Sequence, residues 1–279
     1  MVLPLSPSNR RYGRLMPPAL PLKRMLSRTL PPGFPLYADL SAWDGPIKDQ
    51  GEEGSCTGHT FAEFQEWVVR KYFPKLGPLI FSPQFLYALA LIENGNFPSD
   101  DGSDGVTLCE VMVKYGACLL SAYPYVAGEI LRPTVVQLAN GQQYQINKAY
   151  HGLVGSQTAI SVLGDKTPWP IAMGFTVRES LESDETANTG IYNPQPDEQV
   201  LGGHEVKVSG YDISPTPVIR PKGCPPAFKI QNSWGKDWGL DGYFWAAVSV
   251  IDDPDTDLKI VHAGGPWIRK NNPALPKAA

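Results

Sequence analysis

A thiol, an imidazole and a carboxamide follow one another along this chain in settings that suit acyl transfer. Cys56 stands in the run Gln50-Gly-Glu-Glu-Gly-Ser-Cys-Thr-Gly-His-Thr-Phe61, six residues after a glutamine and directly before an amphipathic helical pattern. A thiol titrates near ~8.5 in water, but at a helix N-terminus beside an imidazolium it falls to roughly 3.5–7.5 and becomes a thiolate at working pH. His204 opens the alternating stretch Gly202-Gly203-His204-Glu205-Val206-Lys207-Val208, and Asn232 lies in Gln231-Asn232-Ser233-Trp234-Gly235. Cleaving an amide needs a strong nucleophile, a proton donor for the departing amine, and hydrogen-bond donors where the oxyanion develops. Cys56, His204, Asn232 and Gln50 could divide that work.

Each residue also has a plainer explanation. A lone cysteine at a helix start is ordinarily a small buried hydrophobe, a histidine beside glycines a satisfied strand-end residue, and Asn-Ser-Trp-Gly a turn. Their joint occurrence, in order and with a glutamine ahead of the thiol, outweighs these readings. From about Leu36 to Gly242 the runs resemble the papain-like cysteine peptidases in nucleophile loop, glycine-histidine strand and asparagine-serine-tryptophan-glycine run. That resemblance implies a Cys56–His204 thiolate–imidazolium pair, an oxyanion hole made by the Gln50 amide and the Cys56 backbone N–H, and Asn232 orienting the imidazole. Trp234 would shield that orienting bond and border the substrate. Gly102, Ser103, Asp104 and Gly105 resemble the cleft wall that binds substrate backbone, and Gly203, with Gly202, leaves room for the second residue upstream of the cut. No metal or other cofactor is implied. Glu53 and Thr57 stand where many eukaryotic relatives carry cysteine and tryptophan, which resembles a bacterial or phage branch. His59 lies three residues after Cys56 and reads as structural, because helical side chains at that spacing stack rather than meet end to end. His151 and His262 have no motif around them and read as loop or surface residues.

The implied function is a cysteine endopeptidase working through a Cys56 thioester on a peptide or protein substrate. The alternatives are a catalytically silent papain-like binding protein and a peptide ligase or transpeptidase using the same intermediate. With 24 basic and 28 acidic residues the net charge is -4, which argues against nucleic-acid binding. No apolar stretch approaches the ~20 residues of a membrane span, and the start lacks the apolar region of a secretory signal. The expectation is a monomer that is cytoplasmic or exported by a non-classical route. Four cysteines in 279 residues are no disulfide framework; with Cys56 reserved, Cys109, Cys118 and Cys224 allow one bridge at most.

The chain is expected to comprise a basic, proline-rich arm, residues 1–35, and a peptidase domain, 36–279, with a mainly helical lobe over about 36–125 and a mainly β lobe over about 126–279. Residues 1–37 hold Arg10, Arg11, Arg14, Lys23, Arg24 and Arg28 and no acid, so the rest carries (24 − 6) − 28 = −10. Such an arm is drawn to the body within a screening length of ~10 Å and can act as a short pro-segment or lid, or remain a mere tail.

The elements follow from periodicity. Phe61, Phe64, Val68 and Tyr72 are spaced as on a helix that stops before Pro74. Ser82-Pro83 caps a second helix through Phe85, Leu86, Leu89 and Ile92, and a third is expected over about Val106–Tyr115, ended by Gly116. Strands are expected over 171–177, 205–211, 227–231 and 242–248. The fold class is therefore α+β, and the resemblance implies two lobes, one helical and one antiparallel and barrel-like, with the cleft between them. Residues 178–200 read as an acidic solvated loop, and the stretch after Trp267 as a loose tail.

Overall fold

The computed structural model describes residues 11–15, 30, 32–146 and 148–262. The expectations for the rest of the arm and for the tail after Trp267 lie outside the described residues.

Three helices carry the first half. Helix α1, Cys56–Tyr72, is buried on nearly every side: Phe61, Phe64, Trp67 and Val68 face the core, while His59, Glu63, Gln65 and Glu66 are buried as well. It is thus a central helix, not a surface one, and its polar face must find partners inside the protein. Helix α2, Pro83–Asn94, begins as its caps dictate, with Ser82 Oγ accepting the Phe85 N–H at 3.1 Å and Gly95 ending it at φ 78°. Helix α3, Gly105–Lys114, starts one residue before its expected position because the Asp104 carboxylate caps the Val106 and Thr107 amides. Short helices follow: α4, Val135–Gly141; α5, Ser156–Leu163; α6, Asp184–Thr189; and α7, Val248–Ile251.

The strands are β1, Tyr37–Asp39; β2, Lys148–Leu153; β3, Ile171–Arg178; β4, Ile191–Tyr192; β5, Val200–Asp212; β6, Ala227–Gln231; β7, Tyr243–Ala247; and β8, Asp257–His262. They form one sheet in the order β2-β8-β3-β5-β6-β7-β4, with β1 on β5. All pairs are antiparallel except β4 with β7. The expected barrel-like closure is corrected: β2 and β4 end the order without pairing to each other, so the sheet stays open. The 13-residue β5 serves two partners on one edge: β3 pairs with it up to Val208 and, past an irregularity, β1 takes the same edge from Gly210.

Residues 178–200 are not a loop; they hold a 3-10 turn, Glu179–Glu182, then α6 and β4, with Ser183 capping α6 and Glu198 accepting the Ser180 N–H. His151 and His262 lie within the paired strands β2 and β8. All four cysteines are unpaired and buried. A main apolar cluster joins helices to sheet through Trp67, Phe85, Met173, Phe175, Val206 and Phe228. At about 1.5–3 kcal/mol for each large side chain fully withdrawn from water, that seam holds the two halves in register. Among the described residues no helix is long and apolar enough to cross a membrane.

Candidate active site

Cys56 is the first residue of α1, where the unsatisfied amides of the first turn and the helix dipole favour an anion. The backbone amides of Thr57, in its own helix, and of Glu205, across the cleft in β5, lie near its sulfur and favour its ionised form. The residue before Glu205 is His204, so strand and helix bring thiol and imidazole to one place. On the far side of the ring, His204 Nε2 meets Asn232 Oδ1 at 2.9 Å, and the same oxygen accepts the Ser233 N–H at 2.9 Å. Trp234 stacks on the imidazole, with centroids 5.0 Å apart and planes at 28°. Both His204 and Asn232 are buried, so this bond is made away from water.

Gln50 is held on three sides. Its amide N–H donates to Ser233 O at 2.9 Å, Ser233 Oγ donates to its Oε1 at 2.6 Å, and its Nε2 donates to Glu53 O at 2.9 Å. Sequence reasoning missed Ser233, which joins the Gln50 clamp to the Asn232 segment, although its place between Asn232 and Trp234 was a usable signal. Asp100 was missed too. Its carboxylate accepts the Gly54 N–H at 3.0 Å and the Tyr87 hydroxyl at 2.6 Å, and that hydroxyl accepts the Gly102 N–H at 3.0 Å, tying the nucleophile loop to the opposite wall. Nothing local marks Asp100.

Other candidates sort by position. His59 is buried, with Nδ1 turned to Ser55 O at 3.0 Å, and burial pushes its pKa down to about 3; it is a neutral structural residue. Glu53 is fastened by Gln84 Nε2 and the Gly128 N–H, both at 3.0 Å, and burial raises its carboxyl. Gly102 and Ser103 line the cleft, whereas Asp104 and Gly105 turn away as the cap and first residue of α3.

The cleft is filled by the chain's own arm. Leu15 N donates to Ser103 O at 2.8 Å, Ser103 N to Gly13 O at 2.7 Å, and Arg14 N to Gly203 O at 3.2 Å, so residues 13–15 lie between both walls, parallel to Ser103. Tyr12 packs edge-on against His204 and Trp234, at 6.4 and 6.5 Å. A side chain at Gly13 would overlap Gly54, and one at Gly102 would overlap Gly13, so this passage admits only bare backbone. Arg11 reaches Asp100 at 3.3 Å. Under this cover Cys56 is fully buried, and desolvation pushes its pKa up to about 12 against the lowering effect of the nearby Glu205 and Thr57 amides. With the arm in place, loss of water opposes the thiolate that the helix terminus favours.

Residues 41–253 match the family model described as papain family cysteine protease. The chain belongs to the papain family. Among its relatives are an uncharacterized peptidase C1-like protein of Acanthamoeba polyphaga mimivirus, 26% identical over 70% of this chain and 62% of that protein. Cysteine proteinase 3 of Entamoeba histolytica is 30% identical over 72% of this chain and 59% of that protein. The chain thus spans less than two thirds of the length of these curated relatives. Among solved structures, xylellain, a cysteine protease from Xylella fastidiosa, superposes with a TM-score of 0.76 at 22% identity, covering 94% of this chain and 97% of that one. A digestive procathepsin L2 from Tenebrio molitor gives 0.66 at 20% identity, over 91% and 79%. The papain-like fold is therefore two-lobed and α+β, and the helix-borne thiol and strand-borne imidazole of this member face the space between its halves.

Proposed function

We propose that the protein is a cysteine endopeptidase made latent by its own N-terminal arm. One observation carries the reading: His204 bonds Asn232 Oδ1 through Nε2 at 2.9 Å while the next residue on β5, Glu205, has its backbone amide near the Cys56 sulfur. Asn232 fixes the tautomer and aim of the ring, so proton exchange with sulfur runs through Nδ1. Once water reaches the cleft, His204 takes the thiol proton and the thiolate attacks the substrate carbonyl. Gln50 Nε2 and the Cys56 N–H stabilise the oxyanion. Collapse expels the amine, which leaves with the proton from His204, and water attacking the Cys56 thioester returns the carboxylic acid and the free thiol.

The arm's polarity explains how it fills the cleft without being cut. The departing amine belongs to the C-terminal side of a scissile bond and must lie beside His204, so the His204–Trp234 end takes the C-terminal half of a substrate. The arm has Tyr12 at that end and Arg14 and Leu15 beyond the nucleophile, which is the opposite direction.

The test assays a fluorogenic peptide and iodoacetamide labelling of Cys56 in the full-length protein, in Arg14→Ala, and in each with Cys56→Ala. Arg14→Ala is expected to accelerate both turnover and labelling about tenfold or more, with turnover lost in Cys56→Ala. Deleting residues 1–35 should do the same. Turnover that survives Cys56→Ala would end the peptidase reading, and equal labelling with and without Arg14 would end latency.

A further inference from the structure

The arm leaves an imprint of what the cleft selects. Arg14 is only 5% exposed although it belongs to a segment lying over the cleft. Its guanidinium pairs with Asp257 through Nη2, stands 3.7 Å from Glu205 Oε2 through Nε, and donates to Asp255 O at 3.4 Å. The floor beneath it is a single row across three strands: Glu205 on β5 opposes Gly174 on β3, which opposes Asp257 on β8. Directly opposed residues share a face, so the two carboxylates flank a position with no side chain. A Cβ on Gly174 would overlap Arg14 Nε, so the glycine is what opens the pocket.

Burial raises the Glu205 carboxyl, and Arg14 is one of the cations that hold it down. Among the described residues, Lys259 is the only other cation paired with these carboxylates, reaching Glu205 at 2.8 Å and Asp257 at 2.7 Å. One ammonium thus serves two carboxyl groups, and Arg14 adds a second positive charge beside them. A buried carboxylate without a counter-charge is expensive, so the emptied pocket favours another cation over an apolar side chain. The planar fork of a guanidinium can span Glu205 and Asp257 together, which a point-charge ammonium does less well.

The pocket's address in the cleft follows from the backbone. Gly13 crosses at the nucleophile loop against Gly54, and Arg14, one residue farther from the His204–Trp234 end, bonds to Gly203 O. An extended substrate between the same two walls, running the other way, sends its second residue upstream of the cut into the same space.

We propose that Glu205, Asp257 and Gly174 form the pocket that sets this peptidase's selectivity, and that it takes arginine, and lysine less well, as the second residue upstream of the cleaved bond. The inference rests on the peptidase reading above. It is tested with full-length Arg14→Ala protein and dipeptidyl fluorogenic amides that share alanine next to the reporter and carry Arg, Lys, Leu, Phe or Glu before it. The kcat/KM for Arg is expected to exceed that for Leu and Phe by about tenfold or more, with Glu the poorest. Adding Asp257→Asn should lower the Arg-to-Leu ratio about tenfold; Asp257 is partly exposed, with a side chain 16% accessible, so the amide is tolerated there even where Glu205→Gln disturbs folding. A preference for Leu or Phe, or a ratio unmoved by Asp257→Asn, overturns the proposal while hydrolysis stands. Should no amide be cleaved, the peptidase reading fails separately. Anisotropy-detected competition for the cleft of Arg14→Ala/Cys56→Ala protein by the same amides then decides: tighter binding of the Arg amide sustains the pocket, and equal binding overturns it.

Discussion

Two buried ion clusters grow from one face of β5, two residues apart, and they differ in whether the folded body completes them. At Lys207 the ammonium pairs with Asp44, Asp44 also accepts the Tyr243 hydroxyl at 2.9 Å, and nearby Lys48 holds Glu66 at 2.7 Å. Burial pushes neighbouring Glu63 up to about 8, so at neutral pH it is largely protonated and two cations face two carboxylates. At Glu205 the body provides two carboxylates and one lysine, and the arm brings the second cation. The first cluster is closed within the body and reaches α1 through Glu66; the second is left open by the body and completed by Arg14 of the arm. A buried charge left unbalanced by its own domain is thus more informative about binding than a balanced one.

The sharpest way to break this contrast is to remove one cation from each. Lys207→Met strands Asp44 in the interior and should cost about 3–5 kcal/mol, read as a lowered urea midpoint. Arg14→Met should cost the body less than about 2 kcal/mol, since the arm can lift and let water solvate Glu205 and Asp257, while Cys56 labelling accelerates. Equal destabilisation by the two would erase the distinction between closed and open.

A pH titration sharpens the closed side. Glu63 has a folded pKa raised to about 8 from 4.5, so the folded state binds its proton more tightly than the unfolded chain does. Its contribution is fully present below about pH 4.5 and is lost as pH rises toward 8, with a slope of up to about 1.4 kcal/mol per pH unit. Glu63→Gln should flatten that slope and make the protein more stable near pH 8 than the parent. An unchanged slope in denaturation measured from pH 5 to 8 would mean that Glu63 is ionised and the cluster unbalanced. The smallest expected effect comes from a neutral bond in the same cleft: Ser233→Ala, losing the 2.6 Å bond to Gln50, should lower kcat about fivefold, near 1 kcal/mol, with the urea midpoint scarcely moved.

The helices were legible because their ends are written locally. Ser82 with Pro83, and the glycines at 95 and 116, act within one turn of where they stand, and they mark α2 and α3 to within a residue or two. The strands around Ile171, Ala227 and Tyr243 were visible from short apolar or alternating runs. On β5 the alternation of Glu205, Lys207 and Ser209 with Val206 and Val208 was also visible, but all five are buried. The polar half faces the interior beside α1, not water, which no period-two pattern can announce.

Sequence alone determined the identities and order of Cys56, His204 and Asn232, the glutamine ahead of them, and the sign of the arm's charge, because each of these is a property of residue type or short spacing. Tertiary structure alone decided that Glu205, Gly174 and Asp257 align in one row, that Arg14 lies over them, and that the thiol beneath the arm is buried. Those outcomes depend on strand register and on water excluded by residues far apart in the chain, and neither leaves a local trace.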